Sequence, residues 1–234
     1  MKSIKIKIIQ REIENQCEIK LHDLIGKGYY INLRHRYDKN KVMLRQLSKL
    51  NLISIISRLD GVYPKDLGYT PNKNGKFEII EYSTAAATAH INAIKLAKQN
   101  NYENVLVLED DALFSKNGLK NLIEALIQLQ NKNWDVLYIG GDCRDKFEFH
   151  GKNLVKIKNI MCSHAYIVNK NFYDTILNEK KIIQHFDVFL NEYAKEKYLV
   201  NPLSIIQKLV NKTDIGETTF TPDLRYWAKT YSNK

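Results

Sequence analysis

The stretch VLVLEDD at residues 105–111 decides the fold. Val105, Leu106, Val107 and Leu108 form an unbroken apolar run, as expected of a strand buried on both faces in a parallel sheet covered by helices. Three carboxylates, Glu109, Asp110 and Asp111, follow at once. They fall at the strand's C-terminal end, where open α/β sheets bind ligands. Crowded acids repel one another and lose hydration, so the cluster calls for a positive partner, most simply a divalent metal. The plainer alternative is an acidic turn at a strand end.

Reading outward, residues 29–33 (YYINL) form a short apolar strand that runs into Arg34-His35-Arg36. Residues 40–51 read as a helix, with Met43, Leu44, Leu47 and Leu50 on one face. Residues 53–56 read as a second strand, followed by a turn over Arg58 to Gly61. Residues 61–82 read as a long surface loop. Ser83 or Thr84 can cap a helix reaching about residue 100, with Ala86, His90, Ala93, Ile94 and Ala97 sharing a face.

Beyond the acids come a helix over 117–130, a strand over 135–139 stopped by Gly140-Gly141, and room for a hairpin within 142–160. A strand over 164–168, helices over 170–177 and 186–195, and a strand over 198–200 complete the pattern. Such alternation implies an α/β fold with a mainly parallel central sheet and helices on both faces. One domain is expected over residues 28–210, with an N-terminal extension over 1–27 and a polar C-terminal tail over 211–234.

Composition narrows the class. The 234 residues are 44% hydrophobic and 26% charged, an ordinary globular balance able to bury a core. No apolar run approaches a membrane span, and the N-terminus lacks the pattern of a secretory signal. Cys17, Cys143 and Cys162 are far apart and form no CxxC pair, which suggests reduced thiols in a cytoplasmic compartment. The net charge of +10 suits an anionic partner or, more simply, a set of solvated Lys faces.

Several side chains are candidates for chemistry, each with a plainer alternative. Arg34 and Arg36 at a strand end suit phosphate, or are a solvated turn. Asp60 can accept hydrogen bonds from ribose hydroxyls, or merely shape an Asp-Gly turn. His90 sits on an Ala-rich helix face, where a lone histidine is more often a packed core residue. His164 can reach a phosphate, a metal or an acceptor hydroxyl, or be buried polar packing. Asp187, between apolar neighbours, either caps a helix or accepts a proton from a cleft.

The order of these segments is more specific than any one of them. INLRHRYDKNKVMLRQL at 31–47, LDG at 59–61, AHINAIKLA at 89–97, YENVLVLEDDALF at 102–114 and WDVLYIGG at 134–141 occur in series. HAYIVNKNF at 164–172, FDVFL at 186–190 and VNPLSIIQ at 200–207 follow. In this the chain resembles glycosyltransferase family 25, the lipopolysaccharide-biosynthesis and collagen-galactosyltransferase type. The resemblance implies a GT-A-like fold, a UDP-sugar donor, Mn²⁺ (or Mg²⁺) dependence and inversion at the anomeric carbon.

By position in the family's motifs, Asp111 is the expected metal ligand with Asp110 supporting it. Asn32, Arg34 and Asp60 are expected at the nucleotide, and His90 matches the family's Ser-His pair, with Ala89 in place of the Ser. Asp187 is the expected catalytic base. The partners implied are a nucleotide-sugar donor and a glycan, glycolipid or hydroxylated acceptor, with peripheral contact to an anionic membrane as a further expectation and no nucleic acid.

Two other classes compete. A receiver-type phosphorelay domain also carries Glu-Asp-Asp after a strand, but would need a phospho-accepting Asp where this chain has Gly140-Gly141. A non-catalytic basic module would bind nucleic acid or membrane through charge, yet the basic residues are dispersed. A degenerate transferase that binds donor without transferring it is a variant of the first reading.

Overall fold

In the computed structural model, described over residues 21–143 and 146–207, the apolar run becomes an inner strand of an eight-stranded sheet. In chain order the strands are β1 (Lys27–Asn32), β2 (Ile56–Asp60), β3 (Asn104–Glu109), β5 (Val136–Asp142), β6 (Glu148–Phe149), β7 (Leu154–Lys156), β8 (Met161–Asn169) and β9 (Lys197–Val200). Across the sheet they lie β2-β1-β3-β8-β5-β9-β7-β6. Strands β2, β1, β3, β5, β9 and β6 run one way, and β8 and β7 oppose them. A two-stranded sheet pairs β4 (Ala112–Phe114) with β10 (Ile205–Gln207).

Side chains on β3 alternate between two cores, as the pleat requires. Leu106 and Leu108 pack with Met43 and Leu47 of α1 (Tyr37–Lys49) and with Leu122 and Leu126 of α3 (Gly118–Leu129). Val105 and Val107 pack with Ala93, Ile94 and Ala97 of α2 (Ile79–Gln99) on the other face. Helices α4 (Lys170–Leu177) and α5 (Phe186–Tyr193) join that second core through Phe172, Ile176, Phe189 and Leu190. Each fully buried Val or Leu contributes roughly 1.5–3 kcal/mol. The result is the expected α/β architecture, a mainly parallel sheet between two helical layers. Its antiparallel β8 at the centre departs from the all-parallel sheet of a receiver domain.

Several boundaries differ from expectation. Strand β2 begins at Ile56 and contains Arg58 to Asp60, which were expected to turn. Helix α2 begins at Ile79, because Glu78 and Glu81 form a reciprocal capping box in which the Glu78 amide donates to Glu81 at 2.7 Å. Thr84 is inside that helix, its hydroxyl donating to the Ile80 carbonyl at 2.8 Å. The expected 61–82 loop is thereby shortened, and it holds a 3-10 turn at Pro64–Leu67. Strand β5 runs through Gly140-Gly141 rather than stopping there, with register shifts against β8. Residues 1–20 and 208–234, which include most of the expected extension and all of the tail, lie outside the described residues.

Candidate active site at the β3 carboxylates

The three acids stand where β3 gives way to β4, and α1 fixes that corner. Gln46 of α1 donates to the Ala112 carbonyl at 2.9 Å and accepts from the Phe114 amide at 2.8 Å. Its amide thus pairs with the outer edge of β4 as a neighbouring strand would. On the other edge, Gln207 of β10 approaches Asp111 Oδ2 at 3.5 Å. The first turn of α1 brings in Lys39, whose Nζ is 2.8 Å from Asp110 Oδ1 and 3.7 Å from Asp111 Oδ2.

Asn32, buried at the end of β1, ties this corner to the neighbouring strand end. Its amide donates to Asp110 Oδ2 at 2.8 Å and to the Arg36 carbonyl at 3.1 Å. Its carbonyl oxygen accepts from Arg58 Nε at 3.0 Å. Arg58 Nη1 in turn lies 2.6 Å from Asp60 Oδ1, and the exposed Arg34 reaches Asp60 Oδ2 at 3.0 Å. Asn32, Arg34, Asp60 and Asp110 are therefore connected along the C-terminal ends of β1, β2 and β3. Arg58 is the link.

Electrostatics distinguish the three acids. Burial pushes Asp111 up to about 7, reinforced by the charges of Glu109 and Asp110 and opposed by Lys39. Burial also raises Asp110, although Lys39 and Asn32 pull it back. Glu109 keeps 35% of its side-chain surface open. The protein around it pushes its carboxyl up, but the hydrogen bond from His90 and the charges of His90, His164 and Lys39 outweigh this and hold it low.

His90 is enclosed rather than open to a cleft. Its Nδ1 is 2.8 Å from the Tyr166 hydroxyl, its Nε2 is 3.5 Å from Glu109 Oε1, and its ring stacks on Phe186 at 5.0 Å. It packs as a core histidine with one edge on the carboxylate cluster.

His164 is the opposite case. It is buried on β8, and neither ring nitrogen has a hydrogen-bond partner among the described residues. Leu108 pairs with Ala165, so the next step in register sets His164 beside Glu109. Burial lowers the His164 pKa and the Glu109 charge opposes that. A Cβ on Gly140 would come within 2.5 Å of His164 Nε2 and 2.8 Å of the Ile205 carbonyl, so only glycine leaves room for this ring.

Asp187 lies in the first turn of α5, next to Phe186 and so next to the ring that stacks on His90. Its Oδ2 accepts from the Cys162 amide at 3.2 Å and its Oδ1 from the Val188 amide at 2.9 Å. Cys162 adopts a left-handed backbone, φ 68°, at the start of β8. Since β8 is antiparallel, its start faces the same end of the sheet as Glu109. Asp187 thus stands at the acidic end, on the face covered by α2 and α5.

The donor set fits a hard divalent cation. Among the described residues Asp111 Oδ1 is buried with no hydrogen-bond partner, a costly state for an acceptor unless a ligand reaches it. Among the described residues, no three His, Cys, Asp or Glu side chains form a complete cage. Such cations commonly take one or two carboxylates and complete their shell with water and substrate phosphates.

Sequence reading did not single out Lys39, Arg58, Tyr166, Phe186 or Gln207. Lys39, Tyr166, Phe186 and Gln207 all lie within quoted segments and Arg58 just before LDG, but nothing in their local pattern marks them out.

Comparison with known proteins identifies the family. The family model described as "Glycosyltransferase family 25 (LPS biosynthesis protein)" matches residues 26–214. Procollagen galactosyltransferase 1-B of Xenopus laevis is 24% identical over 221 residues, covering 85% of this chain and 35% of that protein. The chain therefore spans about a third of that relative's length. Two solved structures are more distant. A197 from STIV has 12% identity and a TM-score of 0.48, covering 80% of this chain and 87% of that one. A glycosyltransferase involved in glycosylation of the major capsid of PBCV-1 has 8% identity and a TM-score of 0.45, covering 77% and 92%.

Proposed function

Because the chain belongs to glycosyltransferase family 25, we propose that it is a metal-dependent, inverting transferase that moves a hexose from a UDP-sugar to a hydroxyl of a glycan or other acceptor. The observation that carries this reading is Asp111 Oδ1, buried without a hydrogen-bond partner among the described residues, beside the Lys39 and Asp110 pair at the end of β3. The name of the Xenopus relative, a galactosyltransferase, supports galactose, with glucose as the close alternative.

In this reading Asp111 and Asp110 hold Mn²⁺ or Mg²⁺, which when bound offsets the charge of the departing diphosphate. Asn32, Arg34 and Asp60 line the nucleoside side of the pocket. Lys39 balances the acids and keeps their oxygens converged. Asp187 takes the proton from the acceptor hydroxyl as its oxygen bonds to the anomeric carbon and the bond to the phosphate oxygen breaks. Attack opposite the leaving UDP inverts the centre. His90 acts as a positioning residue between Glu109 and the start of α5. His164, with neither ring nitrogen hydrogen-bonded among the described residues, is available to the donor phosphates or the acceptor.

Among the described residues no helix is long and apolar enough to cross a membrane. A cytoplasmic site of action, with lipid-linked acceptors met at the membrane face, is consistent with this reading.

The test is release of nucleotide from a panel of UDP-, GDP- and CMP-sugars, with Mn²⁺ and with EDTA. Metal-dependent turnover of one UDP-hexose is expected. Donor binding without turnover for any acceptor would indicate a degenerate transferase instead.

A further inference from the structure

A polar cavity lies far from the acids. It encloses about 560 Å³ and is lined by Lys146, Lys156, Lys158, Lys195 and Lys197, with Phe147 and Ile157 as apolar wall and Glu148 as its carboxylate. The strand register fixes its place. Val105, Val168, Val136 and Lys197 are partners across β3, β8, β5 and β9, so Lys197 is level with the beginning of β3. Glu109 is four residues further along, about 13 Å at the rise of a strand, and three strands away. The cavity is therefore at the opposite end of the sheet from the acids.

Its lysines are not equivalent. Lys156 is neutralised by Glu196 at 2.8 Å. Lys197 is 5% exposed, and its Nζ donates to the Asn191 carbonyl at 2.6 Å. Burial lowers its pKa, and the Asp135 charge partly restores it. Lys158 and Lys195 are exposed at the rim, and neither they nor Lys146 pair with a carboxylate among the described residues. Four lysines with no carboxylate within ion-pair distance among the described residues thus line one concave space, with Glu148 the carboxylate in its wall. A lining with this excess of positive charge favours an anion, and an anion beside the buried Lys197 offsets its lost hydration.

We propose that this cavity is a second binding site, for the phosphate group of a phosphate ester. Lysine recognises phosphate as a point charge and needs no fork geometry. The volume is within the range of small-ligand pockets and admits a sugar phosphate or a phospholipid headgroup. The site stands apart from the donor, so it does not depend on the transferase reading.

The full chain is tested with two probes: soluble glycerol 3-phosphate, and phosphatidylcholine vesicles with and without phosphatidylglycerol. Lys158→Glu with Lys195→Glu alters the rim, and Lys49→Glu with Lys73→Glu makes the same charge change elsewhere. Binding in at least one arm is expected, weakened roughly tenfold or more by the rim variant and little changed by the control. It should persist in the presence of UDP and Mn²⁺. Binding of glycerol 3-phosphate alone identifies a soluble ester, and of the anionic vesicles alone a lipid headgroup. Equal weakening in both variants, displacement by UDP, or no binding in either arm would overturn the proposal.

Discussion

Lys39 Nζ sits 2.8 Å from Asp110 Oδ1, with the two side chains only 11% and 10% exposed. This pair, brought together from α1 and the end of β3, is what allows adjacent carboxylates to be held in a partly dry corner. Removing one partner of such a pair leaves the other charge uncompensated.

Lys39→Met should therefore lower stability by about 2–3 kcal/mol at neutral pH. Urea unfolding measures this, and the loss should be smaller at pH 5, where burial keeps Asp111 protonated. An unchanged midpoint at neutral pH would mean that the acids do not need the lysine.

Asp111 gives a pH dependence of defined sign. In the unfolded chain its carboxyl titrates near about 3.9, and in the fold it is pushed up to about 7. Between these values the folded state binds more protons than the unfolded one. Stability contributed by Asp111 is thus present below about pH 4 and lost as pH rises towards 7. Asp110, also raised, acts in the same direction, and Glu109, held low, opposes them. In EDTA, Asp111→Asn should be more stable than the parent at pH 7.5, on the order of 4 kcal/mol at most, with the advantage vanishing by about pH 4. Unfolding curves across this range measure it, and an advantage that grows at low pH would contradict the assignment.

Gly140→Ala tests the wedge between β5, His164 and β10. The added methyl meets His164 Nε2 at 2.5 Å and the Ile205 carbonyl at 2.8 Å. A loss of about 1–3 kcal/mol is expected from the forced displacement. In a His164→Ala background the loss should shrink without disappearing, since the carbonyl remains. Equal losses in both backgrounds would show that the ring is not the obstacle.

The sheet, both helical layers and the carboxylates were legible in local patterns: the apolar run before Glu109, the Leu periodicity of α3, the ordered short motifs. The site's partners were not, because they depend on contacts distant in sequence. Lys39 and Asp110 are 71 positions apart, and nothing in HRYDKNK distinguishes that lysine from Lys41. The start of α2 was misjudged because Ser83 and Thr84 resemble caps, whereas the Glu78 and Glu81 box lies among exposed residues with no apolar rhythm. Gly140-Gly141 resembled a stop because glycine usually ends a strand. Here His164, from another strand, requires the space.

Asp187→Asn tests the assigned base. The amide oxygen can still accept from the Cys162 or Val188 amide, so the fold and donor affinity should persist. Transfer should fall roughly 10²–10⁴-fold, the range of lost general-base catalysis. Donor binding and kcat measured on the same preparation separate the two effects. A transfer rate within a few-fold of the parent would place the base elsewhere.

The most direct measurement is a Mn²⁺ titration followed by electron paramagnetic resonance, with UDP present, on the parent chain and on Asp111→Asn. The account predicts Mn²⁺ bound to the parent in the presence of UDP and affinity weakened roughly a hundredfold in the variant. Equal Mn²⁺ affinity in the two proteins, or no Mn²⁺ bound by the parent with UDP, would contradict the claim that the β3 carboxylates form the metal and donor site.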